Sequence, residues 1–336
     1  MSLVITPNYP LDQLNTFRIK SVAEFFCAPT TEAELLEALR FAQAKKISIF
    51  ILGGGSNVLL TKAITAGLTI QNCLKGIEFG SDGEVSVMAG EGWDAFVEQT
   101  VARGLSGLEN LSLIPGAVGA SPIQNIGAYG FEVSQTIKAV EAINMETLEK
   151  KVFSNRDCQF SYRHSFFKTL EGKKYLITKV IFALRMDGRV DITYKDLAVY
   201  FAGQKNPSLS EVRQAIIDIR KTKLPDPKEW GTVGSFYKNP IVDRSLYEDL
   251  KTRYPDLPAY DLADGRVKIP LAYILDVICN LKGYSEGQLS LYKNQPLCLV
   301  TNGAVEPEKV IQFSQKISNI VKEKTGIEIE MEVVRV

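Results

Sequence analysis

The stretch IFILGGGSNVLL, residues 49–60, places three consecutive glycines directly after an apolar run. Glycine has no Cβ atom, so a glycine run after a strand lets the backbone approach another segment or a ligand closely. The sequence GGGSN is not a phosphate loop of the GxxxxGK[ST] type, because no lysine follows at the required position. The question is therefore which group lies against these glycines.

A second stretch, IPGAVGASPIQNIGAYG at residues 114–130, is rich in glycine and contains no charged residue. Successive backbone N–H groups in such a loop can line a flat polar cofactor and cradle its phosphates. One glycine loop alone is more simply a tight turn packed on the core. Since GEGWDA at residues 90–95 adds a third glycine-rich stretch, we favour a ligand.

GEGWDA also matches the GxGxxA fingerprint of dinucleotide-binding folds, but the match is weak. Trp93 follows the second glycine, where a pyrophosphate needs close approach. No parallel strand is predicted afterwards to complete a βαβ unit. We therefore do not expect a nicotinamide-type dinucleotide fold.

Composition restricts the function classes. The chain has 336 residues, with 39 Lys and Arg balancing 39 Asp and Glu, which argues against a broad nucleic-acid or anionic-membrane surface. No secretory signal or membrane span is predicted, and five scattered cysteines without a CxxC pair indicate reduced thiols in a cytoplasmic protein. The single histidine, His164, excludes a histidine-rich metal site.

Helix and strand signals are mixed along the chain, which predicts an α+β fold. Thr31 and Glu34 form a capping box before a helix, as do Ser208 and Glu211, and we place a domain boundary near residue 205. The other predicted elements are a buried strand within ISIFILGGG at 47–55, strand, turn and helix at 84–104, a hairpin at 136–155, a strand at 175–186, a helix at 270–283 ended by Gly283, a strand at 296–302, a helix at 308–324 and a last strand at 327–336.

Six motifs occur in an order that resembles one family. They are NTFR, LGGGSNVLL, GEGWDAFV, GLENLSLIPGAVGASPIQNIGAYG, SYRHSFFK and GSFYKNP. The set is similar to the UDP-N-acetylenolpyruvoylglucosamine reductase (MurB) family from about residue 15 to the last strand. The resemblance implies an FAD-binding fold of the vanillyl-alcohol-oxidase/PCMH type at 1–205, in two subdomains split near 70. It further implies a smaller α+β substrate-binding domain at 206–325, with a last strand at 326–336 carrying an active-site glutamate.

The family's reaction uses NADPH to reduce non-covalent FAD, which then reduces an enolpyruvyl ether to UDP-N-acetylmuramate for peptidoglycan synthesis. By this resemblance, GGGSN holds the FAD pyrophosphate and residues 114–130 wrap the flavin. The implied cofactor-binding residues are Gly53, Gly54, Gly55, Ser56, Asn57, Pro115, Gly116, Gly119, Ala120, Ser121, Asn125, Gly127, Ala128 and Tyr129.

Three residues match the family's catalytic positions. Ser235 corresponds to the proton donor, and Arg163 to the arginine that holds the substrate carboxylate and spreads the enolate charge. Glu332 corresponds to the glutamate that positions or polarises the enolpyruvyl group, although a two-residue slip would select Glu330 instead. We do not expect a catalytic His164, because adjacent side chains on an extended chain point to opposite sides.

The implied substrate-binding residues are Tyr162, Tyr194, Lys223 and Asn239. Tyr194 lies where one branch of the family carries a tyrosine loop that closes over the substrate. Tyr292 stands where relatives often have histidine, which leaves the pocket details open. We expect a monomer that binds a UDP-sugar, with no metal, nucleic-acid or membrane partner. The alternatives are a flavin oxidoreductase acting on an alcohol or sugar, and a regulatory protein that has lost the reaction.

Overall fold

The computed structural model describes residues 3–204 and 206–336; Lys205, at the predicted boundary, lies outside the described residues. The helices, in chain order, are α1 Glu32–Lys45, α2 Trp93–Ala102, α3 Lys195–Tyr200, α4 Leu209–Lys223, α5 Arg244–Arg253, α6 Leu271–Tyr273, which continues as π-helix over Ile274–Ile278, and α7 Pro307–Thr325.

The strands of six or more residues all end before Leu184, and the strands after it have at most five residues. In chain order they are β1 Thr6–Pro10, β2 Val22–Cys27, β3 Ile49–Leu52, β4 Val58–Leu59, β5 Ile64–Gln71, β6 Ile77–Phe79, β7 Glu84–Met88, β8 Gly127–Ala128, β9 Phe131–Glu132, β10 Ile137–Asn144, β11 Lys150–Ser154, β12 Tyr175–Ala183, β13 Gly231–Ser235, β14 Ile241–Val242, β15 Tyr260–Asp261, β16 Val267–Lys268, β17 Ser285–Glu286, β18 Leu289–Leu291, β19 Cys298–Thr301 and β20 Val334–Arg335.

The chain forms two compact units. The first contains the chain up to Tyr9, Ala23–Gly54 and Ala66–Arg220, and the second contains Pro10–Val22, Gly55–Thr65 and Lys221–Val336. The second unit therefore takes two short segments from the first third of the sequence, including NTFR.

The first layer of unit 1 is a four-stranded sheet in the order β1-β2-β5-β3, with β3 and β5 parallel. Helix α1 covers it, and both bonds of the predicted Thr31–Glu34 capping box are formed. Leu35 and Leu39 of α1 are buried with Leu68 and Ile70 of β5. The apolar stripe of α1 is thus the face that fixes the helix on the sheet.

The second layer of unit 1 is an antiparallel sheet in the order β11-β10-β12-β7-β6. The predicted hairpin is confirmed as β10 and β11. Trp93, the first residue of α2, is buried against Phe96 and Phe182. Because β7 has only antiparallel neighbours in this sheet and Trp93 fills the core, the GEGWDA stretch begins a packed helix and no βαβ unit.

Unit 2 is built on an antiparallel sheet in the order β13-β19-β18-β17. Helix α7 contributes buried Val310, Ile317 and Val321, as its apolar spacing predicts. The hydroxyl of Tyr237, just after β13, donates a 2.8 Å hydrogen bond to the carbonyl oxygen of Ser314 on α7. The strand that ends at Ser235 is therefore anchored to the long helix.

Two predicted elements of unit 2 are wrong in extent. The helix predicted to end at Gly283 widens into a π-helix at Ile274 and ends at Ile278, and Asn280 beyond it takes a φ of 54°. The predicted last strand at 327–336 is not continuous. Met331 forms one antiparallel bridge with Tyr237, and only β20 then pairs, in parallel, with β4. Contacts with separate partners break the regular alternation.

Candidate active site

The triple glycine lies against the second glycine loop, which is residues 114–130. A Cβ atom on Gly54 would lie 2.8 Å from the Cα atom of Gly116, which is closer than such atoms pack. A Cβ atom on Gly53 would meet the Cβ atom of Ala120 at an ordinary 3.7 Å. The end of β3 therefore lies directly against residues 116–120, and this contact accommodates a Cβ atom at Gly53 but not at Gly54.

This contact leaves backbone donors available. Within the described part of the chain, no carbonyl accepts a hydrogen bond from the N–H of Gly53 or Gly54. Gly54 and Ala120 are exposed. N–H groups beside an uncharged loop suit the phosphates of a dinucleotide, so this cradle fits the pyrophosphate of FAD.

The other side of the second loop is fixed to the scaffold. The N–H of Gly119 donates a 2.9 Å bond to the carbonyl of Ala89, and a Cβ atom on Gly119 would lie 2.5 Å from the Ala89 Cβ atom. The Ser121 hydroxyl donates to the Val118 carbonyl at 2.7 Å. Among the residues predicted to bind cofactor, the buried ones are Gly55, Gly119, Ser121 and Asn125, while the exposed or partly buried ones are Gly53, Gly54, Ser56, Asn57, Pro115, Gly116, Ala120, Gly127, Ala128 and Tyr129.

Gly55 is required by packing inside unit 2. Its φ is 65°, and a Cβ atom there would lie 1.9 Å from the carbonyl oxygen of Leu14. The N–H of Thr16 donates to the Gly55 carbonyl at 3.1 Å. The third glycine of the run therefore accommodates the segment that contains NTFR.

Arg163 lies in a tight turn and not on extended chain. Ser161 and His164 exchange two backbone hydrogen bonds of 3.1 Å, and Arg163 between them has a φ of 52°. Strand alternation therefore gives no reason to set His164 aside. The structure places His164 at the exposed end of this turn.

The Arg163 guanidinium contacts the second glycine loop. Its Nη2 atom donates a 2.9 Å hydrogen bond to the carbonyl of Gly127, and its Cζ atom lies 5.4 Å from the centre of the Tyr162 ring. A Cβ atom on Gly127 would lie 3.2 Å from Nη1. Arg163, Tyr162 and Gly127, for which different roles are predicted, thus form one cluster.

Asn125 fastens the same turn to the same loop. Its Nδ2 atom donates to a carboxylate oxygen of Glu132 at 2.7 Å and to the carbonyl of Ser161 at 3.2 Å. Its Oδ1 atom accepts from the N–H of Ser134 at 3.0 Å. The Asn125 side chain is fully buried and engaged in scaffold contacts.

The two tyrosines assigned to the site also meet in unit 1. The rings of Tyr129 and Tyr194 pack edge to face with centres 5.4 Å apart. Burial raises the pKa of Tyr129, although Arg220 opposes this by a hydrogen bond and its charge. Tyr194 precedes α3 and is 37% exposed. Sequence reasoning missed Arg220.

Ser235 ends β13 in unit 2, where the strand is irregular. It lies opposite Cys298 of β19 after a bulge that follows Thr232, and Gly234 before it has a φ of 72°. The N–H of Gly234 donates to the Thr232 hydroxyl at 3.2 Å. The bulge interrupts the ladder just before Ser235, which is partly buried, and bulges are common next to active sites.

The three glutamates near the C-terminus have different surroundings. Glu328 pairs with Lys322 at 2.6 Å and Glu330 with Lys238 at 2.8 Å, and both carboxylates are about three-quarters exposed. Glu332 is partly buried on the segment bridged to Tyr237. Since Glu330 holds a surface ion pair, the surroundings favour Glu332 as the functional glutamate.

The remaining substrate-binding candidates also lie in unit 2. Lys223 is the last residue of α4 and is partly buried. The Oδ1 atom of Asn239 accepts a 2.9 Å hydrogen bond from the N–H of Leu271. This bond does not involve the side-chain amide nitrogen, which is the atom that would donate to a phosphate. The Tyr292 ring packs against Trp230 with centres 6.2 Å apart.

Comparisons with known proteins match both parts of the chain. Residues 23–147 match the model of an FAD binding domain, and residues 226–336 match that of the UDP-N-acetylenolpyruvoylglucosamine reductase C-terminal domain. Proteins named UDP-N-acetylenolpyruvoylglucosamine reductase are similar over nearly the whole chain. That of Flavobacterium johnsoniae is 40% identical over 98% of both chains, and that of Pseudomonas fluorescens is 38% identical over 99% of both.

The fold has a solved counterpart. The crystal structure of UDP-N-acetylenolpyruvylglucosamine reductase from Thermus caldophilus superposes with a TM-score of 0.69 and 20% identity, covering 100% of this chain and 99% of that one. This supports the predicted fold, an FAD-binding domain followed by a smaller α+β domain. Among the described residues, no helix is long and apolar enough to cross a membrane.

Proposed function

This chain belongs to the UDP-N-acetylenolpyruvoylglucosamine reductase family, and we propose that it reduces UDP-N-acetylglucosamine enolpyruvate to UDP-N-acetylmuramate with electrons from NADPH. The observation that carries this is the match over 98% of both chains to a relative with that name. The cradle at Gly53, Gly54 and residues 116–120 supports a bound dinucleotide.

The reaction sets two requirements for the protein. FAD, when bound, supplies a hydride to the terminal vinyl carbon of the enolpyruvyl ether. Negative charge then develops on the carbon that bears the carboxylate, and that carbon must receive a proton. The side chains must therefore stabilise an enolate and deliver one proton to it.

Arg163 is our candidate for stabilising the charge. A guanidinium can hold a carboxylate with two parallel N–H donors and does not lose its proton near neutral pH. Its 2.9 Å bond to Gly127 and its place over Tyr162 fix the guanidinium beside the loop proposed to wrap the flavin.

Ser235 is our candidate for the proton donor. Its hydroxyl is a poor acid in water, but a carbanion is a strong base, so transfer is feasible when the geometry is tight. The bulge and Gly234 give this serine a defined, partly buried position at the strand end. Glu332 would polarise or orient the enolpyruvyl group from the neighbouring segment.

The UDP-sugar would be held by Tyr162, Tyr194, Lys223 and Asn239. Lysine and amide donors suit a diphosphate, and Tyr194 is 37% exposed. We further propose that the chain works in the cytoplasm as a monomer, and that the FAD-binding domain extends to about residue 205, with its two subdomains split near residue 70.

A stopped-flow absorbance experiment tests this function. The FAD-loaded protein is reduced with NADPH without air, and UDP-N-acetylglucosamine enolpyruvate is then added. Bleaching followed by recovery of the flavin absorbance on adding substrate is the expected result. Recovery only with oxygen would instead indicate an oxidase acting on an alcohol or sugar, and failure to take up FAD would overturn the assignment.

A further inference from the structure

Asn110 joins two distant segments of unit 1 through one buried amide. It lies in the 3-10 turn Glu109–Leu111 and is 2% exposed. Its Nδ2 atom donates hydrogen bonds to the carbonyl of Tyr129 at 3.1 Å and to the carbonyl of Asp191 at 3.0 Å. Both N–H donors of this amide are therefore used on backbone acceptors.

The two segments carry the two tyrosines that pack against each other. Tyr129 belongs to the second glycine loop, and Asp191 lies three residues before Tyr194. The Asp191 carboxylate accepts from the N–H of Thr193 at 2.9 Å and from its hydroxyl at 2.6 Å. This bend fixes the short path from the Asp191 carbonyl to Tyr194.

The Asn110 side chain acts through its donors. Its Oδ1 atom is buried and accepts no hydrogen bond from any described residue. A buried acceptor in this state is unfavourable for folding, so the amide is not explained by its oxygen. The nitrogen, in contrast, holds together two carbonyl dipoles that would otherwise repel each other.

We propose that Asn110 is a positioning residue that holds the Tyr194 segment against Tyr129 and thereby places Tyr194 to contact the UDP-sugar substrate. This inference rests on the proposed function, because it concerns the same substrate. Asn110 does not itself touch the substrate. It sets the distance between the loop that carries Tyr129 and the segment that carries Tyr194.

The test replaces Asn110 by aspartate, which has the same shape but presents only acceptors to the two carbonyls. Asn72→Asp is the matched control, since Asn72 is a buried asparagine whose Nδ2 donates to the carbonyl of Ile177 at 3.0 Å. Binding of UDP-N-acetylmuramate to the FAD-loaded protein is measured by calorimetry, with kcat, KM and flavin content. We expect Asn110→Asp to weaken product binding and raise KM by about tenfold, as for loss of two hydrogen bonds, with flavin content unchanged. Asn72→Asp should alter neither product binding nor KM.

A double-mutant cycle with Tyr194→Ala separates positioning from general damage. If Asn110 acts through Tyr194, the double variant should bind no more weakly than Tyr194→Ala alone. Effects that multiply, or product affinity in Asn110→Asp equal to that of the unaltered protein, would overturn the inference. If Asn110→Asp loses FAD, Asn110→Ser takes its place in the cycle, because its hydroxyl can still donate one bond.

Hydrogen exchange gives a readout that does not depend on substrate. Backbone amides at residues 191–200 should exchange faster in Asn110→Asp than in Asn72→Asp, and equal rates would contradict the inference. An unaltered protein that fails to reduce the enolpyruvyl substrate would instead overturn the proposed function. The two failures are therefore distinguishable.

Discussion

The backbone N–H of Glu332 donates a 2.8 Å hydrogen bond to the carbonyl oxygen of Phe236, the residue that follows Ser235. On the other side of the Tyr237–Met331 bridge, the N–H of Lys238 donates to the Glu330 carbonyl at 2.9 Å. These bonds fix the register of the C-terminal segment. They place Glu332 opposite the end of the strand that carries the proposed proton donor.

The first prediction concerns Ser235→Ala. Removing the hydroxyl should leave FAD uptake and flavin reduction by NADPH unchanged but lower the rate of reoxidation by the enolpyruvyl substrate by about 10²- to 10⁴-fold, as for loss of a general acid. Rapid-mixing absorbance measures the two half-reactions separately. Ser285→Ala, an exposed serine on β17, is the control. If both half-reactions survive in Ser235→Ala, the hydroxyl is not the acid.

The second prediction separates two glutamates on one segment. Glu332→Gln should lower kcat on the order of 100-fold, because a carboxylate that polarises the reacting group is lost. Glu330→Gln is the matched control. It breaks the exposed ion pair with Lys238, which is worth about 0–1 kcal/mol, and should leave kcat unchanged. A larger loss of kcat in Glu330→Gln than in Glu332→Gln would show that Glu330, two residues earlier, is the functional glutamate.

The third prediction concerns the contact between the two glycine loops. Gly54→Ala would put a methyl group 2.8 Å from the Gly116 Cα atom. Forcing the two glycine loops apart should lower the free energy of unfolding by about 1–3 kcal/mol. It should also weaken FAD binding roughly tenfold or more. Gly92→Ala is the control, because its Cβ atom would meet only the Ala95 Cβ atom at 3.9 Å. Flavin fluorescence during titration of apoprotein measures both, and equal affinities would mean that this cradle does not hold the cofactor.

Local signals predicted the elements that local bonds stabilise. The Ser208–Glu211 capping box is formed, with the Ser208 N–H donating to the Glu211 carboxylate at 2.7 Å and the Glu211 N–H donating to the Ser208 hydroxyl at 3.3 Å. Strands with clear alternation, such as β10 and β11, were also predicted correctly. These patterns depend on residues a few positions apart, so the sequence contains the whole signal.

The features that could not be predicted from the sequence depend on contacts between residues far apart in the chain. Arg163 has a φ of 52° in a turn that is closed by two backbone hydrogen bonds between Ser161 and His164. Asn125 anchors that turn through a hydrogen bond to the Ser161 carbonyl. The Glu330 side chain is three-quarters exposed and pairs with Lys238, which lies far away in sequence. Asn110 stood inside a quoted motif, but its role depends on two carbonyls that are distant along the chain. The catalytic and binding roles themselves remain predictions.

The fourth prediction concerns a partly buried ion pair in unit 1. Arg213 on α4 donates two hydrogen bonds of 2.7 and 3.1 Å to the two carboxylate oxygens of Asp94 on α2. Asp94 also accepts a 2.5 Å bond from the N–H of Leu113, which leads into the second glycine loop. Burial alone would raise the pKa of Asp94, but the bonds from Arg213 and Leu113 outweigh it and lower the pKa.

The sign of the pH dependence follows from that lowered pKa. A carboxyl group with a lower pKa in the folded state stabilises the fold above its unfolded value of about 3.9, and this contribution is lost as pH falls through the folded pKa. Asp94→Asn should therefore reduce the free energy of unfolding by about 1.5–3 kcal/mol at pH 7, as for hydrogen bonds to a charged group. The difference from the unaltered protein should shrink below about pH 4. Urea unfolding across this range measures it, with the exposed Asp82→Asn as control. A difference that stays constant down to pH 3 would mean that the charge of Asp94 does not hold α2, α4 and Leu113 together.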